Sequence, residues 1–178
     1  MRTVLAMALA LAAPSCFAAQ VDDRMAVVIA KPQELIVDKS LSSTSVDALL
    51  APVEAFYGFW NNGSAQLLSR ALSPSFVDHT LPPGRPQGPT GPMIASKAFL
   101  AAVPDLKVAV VQRLVVGDRV VSHLRFTGHF SGEFMGRKGE GQPIDFIATD
   151  ILRVSGGRVT DNWHLEDNLA FMRQIGSM

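Results

Sequence analysis

Asp145-Phe-Ile-Ala-Thr-Asp-Ile-Leu-Arg-Val154, closed by Ser155-Gly156-Gly157, is the stretch whose reading decides the fold. β-Branched and aromatic residues dominate it and two glycines end it, the signature of a strand running into a tight turn. Side chains alternate along a strand, so Phe146, Ala148, Asp150, Leu152 and Val154 share one face. Asp145, Thr149 and Arg153 fall on the other, with Ile147 and Ile151 between them. Asp150 is therefore a carboxylate in an apolar row. Burying it charged and alone is costly, so it is paired, neutral, or turned toward a polar cavity.

The next strand supplies its neighbours. If Gly156 and Gly157 form a two-residue loop, Ser155 pairs with Arg158, Asp150 lies opposite Trp163, and Asp161 lies opposite Leu152. Val159, Asp161, Trp163 and Leu165 then share the face of Asp150. Two carboxylates and an indole together suit acid/base work, because like charges under partial burial separate in pKa. The structural alternative pairs Asp161 with an arginine or leaves it in water.

Outward from this pair the period of two continues. Lys107 to Val116, Gly117-Asp118 and Arg119 to Ser131 read as a hairpin with a two-residue loop. Gly132 to Gly141 is a glycine-rich loop before the strand Pro143 to Ser155. After Leu165, Glu166-Asp167 opens a short helix through Leu169, Phe171, Met172 and Ile175. Before Leu106 the period is helical. A helix capped by Ser45 or Asp47 carries Leu49, Leu50, Val53, Phe56, Tyr57 and Trp60 and stops at Asn61-Asn62-Gly63. A shorter one follows Ser64, and a third opens at Thr90-Gly91-Pro92. Between them, Ser75 to Thr80 reads as a short strand and Leu81 to Pro92 as a stiff rim loop rich in proline and glycine. Three helices followed by a long meander is an α+β plan: a curved antiparallel sheet wrapped by helices around a pocket, with a short C-terminal helix.

The N-terminal part reads differently. Met1-Arg2, the apolar run Val4 to Ala13 and Cys16-Phe-Ala18 resemble an export signal cleaved after Ala18. Residues 1–18 are thus expected to be a signal peptide, with acylation of Cys16 as the lesser alternative. Residues 19–45 are read as an extended arm, with strands at Met25 to Ala30 and Glu34 to Asp38, and 46–178 as the folded domain. Cleavage removes the only cysteine, so the exported domain would rest on its core alone.

Sixteen basic and sixteen acidic residues balance, and no basic stripe occurs, which argues against a nucleic-acid partner. Past the leader no apolar segment is long enough to span a membrane. No His-x-His or His-Glu-x-x-His pair, Gly-x-Ser-x-Gly elbow or phosphate loop is present, so no metal or cofactor is expected. Among the histidines, His79 closes a strand beside the rim loop and His129 sits beside Gly128, where a bulge would turn it inward. Both are candidates to polarise a substrate oxygen. His123 and His164 read as surface residues. Tyr57, Trp60, Phe146, Trp163 and Asp161 are the candidate pocket wall.

Phe76-Val-Asp-His-Thr with Pro82-Pro-Gly, Val103-Pro-Asp-Leu, Thr127-Gly-His-Phe-Ser-Gly-Glu-Phe, Thr149-Asp-Ile-Leu-Arg-Val and Asn162-Trp-His-Leu-Glu-Asp, in this order, resemble the SnoaL-like polyketide cyclases of the nuclear-transport-factor-2-like superfamily. The resemblance spans about Val46 to Gly176. It implies a cone-shaped α+β fold around a deep pocket, often a homodimer. It also implies a pocket aspartate, here Asp150, serving as acid/base in an intramolecular aldol closure without metal. The expected partner is a small apolar or carbonyl-containing molecule, either converted or merely bound; a third reading has the cone filled by side chains and serving only in interactions.

Overall fold

The chain is described by a computed structural model covering residues 21–178; the leader read at 1–18, with Cys16, lies outside the described residues. Local signals set most of the elements. Ser42 caps α2 (Ser43–Asn62) by accepting the amide of Ser45 at 3.1 Å, and Gly63 ends it in the left-handed region at φ 70°. Ser64 caps α3 (Ala65–Ala71), which runs directly into β2 (Leu72–Asp78). After the rim loop come α4 (Thr90–Ala102), then β3 (Lys107–Val116) and β4 (Arg119–Phe130). The glycine-rich loop carries a small hairpin, β5 (Glu133–Phe134) and β6 (Arg137–Lys138). The two decisive strands are β7 (Gln142–Ser155) and β8 (Arg158–Glu166), followed by α5 (Asn168–Gln174), capped by Asp167.

Residues 21–42 depart from the expected extended arm. Met25 to Ala30, read as a strand from its valines and isoleucine, lies largely within a helix, α1 (Asp23–Ile29). Asp22 caps it by accepting the Met25 amide at 2.8 Å. Ala26 and Ala30, four residues apart on one helical face, are fully buried. β1 (Pro32–Val37) then joins the sheet. This segment is part of the fold rather than an arm laid upon it.

The sheet is curved and mixed, with strand order β1-β3-β4-β7-β8-β2. Its four central strands form the expected antiparallel meander, but both edges are parallel: β1 to β3 and β2 to β8. A two-residue period reports burial and not the direction of the partner, so the parallel edges had no signature in the alternation. Val53, Phe56, Tyr57 and Phe59 of α2 join Val108, Val110, Leu124, Phe126 and Leu152 of the sheet in one core.

Two bulges shape what faces inward. In β3 the register against β4 shifts between Val110 and Gln112, and burial passes from Val108 and Val110 to Arg113 and Val115. In β8 the register against β7 shifts after Val159, so Asp161 pairs with Arg153, Asn162 with Leu152 and His164 with Asp150. A one-residue slip sends every later side chain to the opposite face. The unbroken count that placed Trp163 opposite Asp150 is corrected accordingly.

Candidate functional site

Asp150 faces inward from the middle of β7 and is 2% exposed, as alternation in β7 required. Its company differs from the expected one. Tyr57, on α2, donates its hydroxyl to Asp150 Oδ2 at 2.9 Å. Burial first, and the Asp150 charge second, push the Tyr57 phenol well above its ordinary range, so it remains a protonated donor. On the other side His164 Nδ1 lies 2.7 Å from Asp150 Oδ1, and His164 Nε2 lies 3.2 Å from Glu166 Oε2. Burial pulls the His164 imidazole down, but hydrogen bonds and charge from Asp150 and Glu166 outweigh it and raise the group to about 10. At neutral pH it is an imidazolium between two carboxylates. Thr80 Oγ1 accepts the His164 backbone amide at 2.8 Å and fixes the strand there.

Behind Tyr57 lies a second charge that the sequence reading did not single out. Arg113, fully buried, donates to Ser122 Oγ at 3.1 Å and to the Ala30 carbonyl at 3.2 Å. Its guanidinium sits 5.4 Å from the Tyr57 ring centroid, and Ser122 pairs across β4 and β7 with Asp150. Glu54 is its ion-pair partner among the described residues, at 3.9 Å.

Asp150, Asn162, His164 and Glu166 open onto a cavity of about 620 Å³. Phe56, Trp60, Phe76, Phe99, Phe126, Phe134 and Phe171 give it an aromatic wall. Of the expected wall residues, Trp60 lines it. Tyr57 does not line it but donates to Asp150 from behind, and Phe146 packs behind the wall, 4.9 Å from Phe126 and 5.2 Å from Phe171 between ring centroids. Asn162 is a new member. It is 5% exposed, and its Oδ1 is buried without a hydrogen-bond partner.

The other candidates lie elsewhere. Trp163 is turned from Asp150 by the β8 bulge and stacks on His79, with centroids 4.3 Å apart and planes 4° from parallel. His79 Nε2 meets Asp161 Oδ1 at 2.8 Å. That bond is the main cause holding the Asp161 carboxyl below its usual range. Asp161 Oδ2 also lies 3.9 Å from Arg153 Nη1, the arginine contact named by the structural alternative. His129 is not turned inward: its Nδ1 meets Asp105 Oδ2 at 2.6 Å and its backbone amide meets Asp105 Oδ1 at 2.8 Å, on an exposed surface. None of these four lines the cavity.

Helices and a curved mixed sheet around a deep pocket with an inward carboxylate define the nuclear-transport-factor-2 or ketosteroid-isomerase-like class. Residues 52–175 match the family model of SnoaL-like polyketide cyclases, and the chain belongs to that family. A candidate polyketide cyclase of Bacillus cereus is 38% identical, with a TM-score of 0.76 over 83% of this chain and 93% of its own. IdmH, a candidate polyketide cyclase of Streptomyces antibioticus, is 26% identical, with a TM-score of 0.65 over 72% of this chain and 98% of its own. TsrD of Streptomyces laurentii is 26% identical, with a TM-score of 0.66 over 78% and 99%. Among curated proteins no sequence matches.

Proposed function

We propose that this protein is an acid/base enzyme, a cyclase or isomerase of an apolar, ring-bearing molecule, with Asp150 as the base acting next to a carbonyl. The observation that carries this reading is Asp150 itself: a buried carboxylate facing an aromatic cavity, held by Tyr57 on one oxygen and His164 on the other. Each carboxylate oxygen has a second lone pair for a substrate proton. Asp150 removes a proton from the carbon beside the carbonyl, and the electron pair moves to the carbonyl oxygen as an enolate. The amide of Asn162, which has an unpartnered buried oxygen, is the neutral group placed to donate to that oxygen once its nitrogen end faces it. In a cyclisation the enolate carbon then attacks a second carbonyl of the same molecule. One carbon–carbon bond forms, and the new alkoxide recovers the proton from Asp150. No atom is lost, and the step draws on no metal. The sequence's leader supports an exported setting for this chemistry.

Because the natural substrate is unidentified, the partial reaction is the test. Acetonaphthone incubated with the protein in heavy water is expected to exchange its methyl hydrogens faster than in buffer, and Asp150→Asn to abolish the acceleration while still binding the ketone. Exchange equal to buffer, or undiminished in the variant, rejects the assignment. A second reading, a non-catalytic binder of a small apolar ligand, is favoured by one observation: both Asp150 oxygens already accept a hydrogen bond. It predicts that a tightly bound ligand is recovered chemically unchanged.

A further inference from the structure

The cavity lining carries three carboxylates, Asp78, Asp150 and Glu166, and two basic side chains, His164 and Arg85. Three of these five are accounted for by one another, since Asp150 and Glu166 hold His164. Asp78 uses Oδ1 to accept both the amide and the hydroxyl of Thr80, at 2.9 and 3.0 Å. Arg85 is the remainder. It is half-buried on the rim loop, lines the cavity, and joins no ion pair among the described residues.

The loop holds Arg85 in place. Gln87 clips its far side to the main chain of Asp78, accepting from the amide at 2.9 Å and donating to the carbonyl at 2.8 Å. Where the loop enters α4 it lies against Gly91, at which a Cβ would stand 2.5 Å from the Pro86 carbonyl oxygen and 3.6 Å from the Arg85 stem. Only a residue without a side chain lets the loop lie that close.

We infer that Arg85 is the residue that reads the substrate's polar end, and that the ligand is an apolar, aromatic carboxylate whose acid group docks at Arg85. This rests on the proposed acid/base reading for the far end of the molecule. A planar guanidinium offers two parallel donors that match a carboxylate. A single cation suits a singly charged acid better than a phosphate group. Asp150 and Glu166 together outnumber the one His164 cation between them, which disfavours a second anion at that end, so the charge also sets the orientation: acid at the rim loop, rings along the aromatic wall, carbonyl toward Asp150.

The test uses two fluorescent probes of one ring system, anthracenecarboxylate and anthracenemethanol, titrated at low salt against the protein. Wild type is expected to prefer the carboxylate by roughly tenfold, in line with a charge-assisted bidentate pair. In Arg85→Gln that preference should disappear while the alcohol binds as before, which also shows the cavity intact. Arg85→Lys should retain part of it. Equal affinities in wild type, a preference that survives Arg85→Gln, or no binding of either probe overturns the inference. Wild type itself separates the two proposals: a carboxylate preference together with absent ketone exchange leaves Arg85 as the reader and sinks the chemistry.

Discussion

His164 and Asp150 face each other across β8 and β7, with Nδ1 and Oδ1 2.7 Å apart. The second nitrogen of the same ring reaches Glu166, so both ring nitrogens are donors and the imidazole is charged in the folded state. The pair replaces the two-carboxylate arrangement expected from an unbroken strand. A cation beside Asp150 gives the base a fixed orientation and a counter-charge, which a second carboxylate would not.

This charge makes stability depend on pH. The His164 imidazole rises from 6.5 to about 10 on folding. Its contribution is therefore complete below about pH 6.5 and is lost as pH rises through about 10. Between those limits the folded state keeps a proton that the unfolded chain has released, and stability falls by about 1.4 kcal/mol per pH unit from this group. Urea unfolding across that window should show the fall in wild type and a flatter profile in His164→Gln. Parallel profiles would show that His164 is not charged in the fold.

Asn162 sets stability against function. Its Oδ1 is buried without a partner, an arrangement that costs about 1–3 kcal/mol and persists in folds where it has a use. Asn162→Leu, close in size, is expected to raise stability by about 1 kcal/mol while slowing ketone exchange by about 10²–10³-fold. Calorimetry and the exchange assay measure the two. A variant that loses stability with exchange unchanged would assign Asn162 to packing.

The strands were legible where alternation was clean. β7 reads apolar at every second residue, and there the inward side chains, Asp150 among them, are those expected. In β8 the run Val159-Thr-Asp-Asn-Trp-His-Leu-Glu166 has no such rhythm, so the register is weakly specified by the sequence, and no glycine marks the bulge. The unbroken count therefore turned Asp161 and Trp163 inward in place of Asn162 and His164. Arg113 escaped notice for the same reason, since the shift near Val111 turns it into the core. α1 was hidden because valines and isoleucine suggest a strand, while the buried alanines four apart that betray the helix are weak signals. His164 could have been found by testing the alternative register, which puts it opposite Asp150.

His79 and His129 provide the contrast. Both are bonded to aspartates away from the cavity. His79→Ala and His129→Ala should each leave ketone exchange within twofold of wild type and cost no more than about 1 kcal/mol, the usual range for exposed pairs. A large loss of exchange in either, with the fold intact by circular dichroism, would return that histidine to the site.

Tyr57 tests whether the base is held or merely adjacent. The hydroxyl is a buried donor to Asp150 Oδ2 at 2.9 Å, and Phe fills the same volume without it. A lost hydrogen bond to a charged group costs about 1.5–3 kcal/mol, so Tyr57→Phe should destabilise by that amount. The cost should shrink when Asp150 has already been replaced by Leu, because the phenol then has no charged acceptor to lose. The cycle of Tyr57→Phe, Asp150→Leu and the double variant, measured by urea unfolding, is expected to give a coupling of about 1–2 kcal/mol. Strict additivity would mean that the hydroxyl does not hold Asp150, and orientation of the base would then rest on His164 alone.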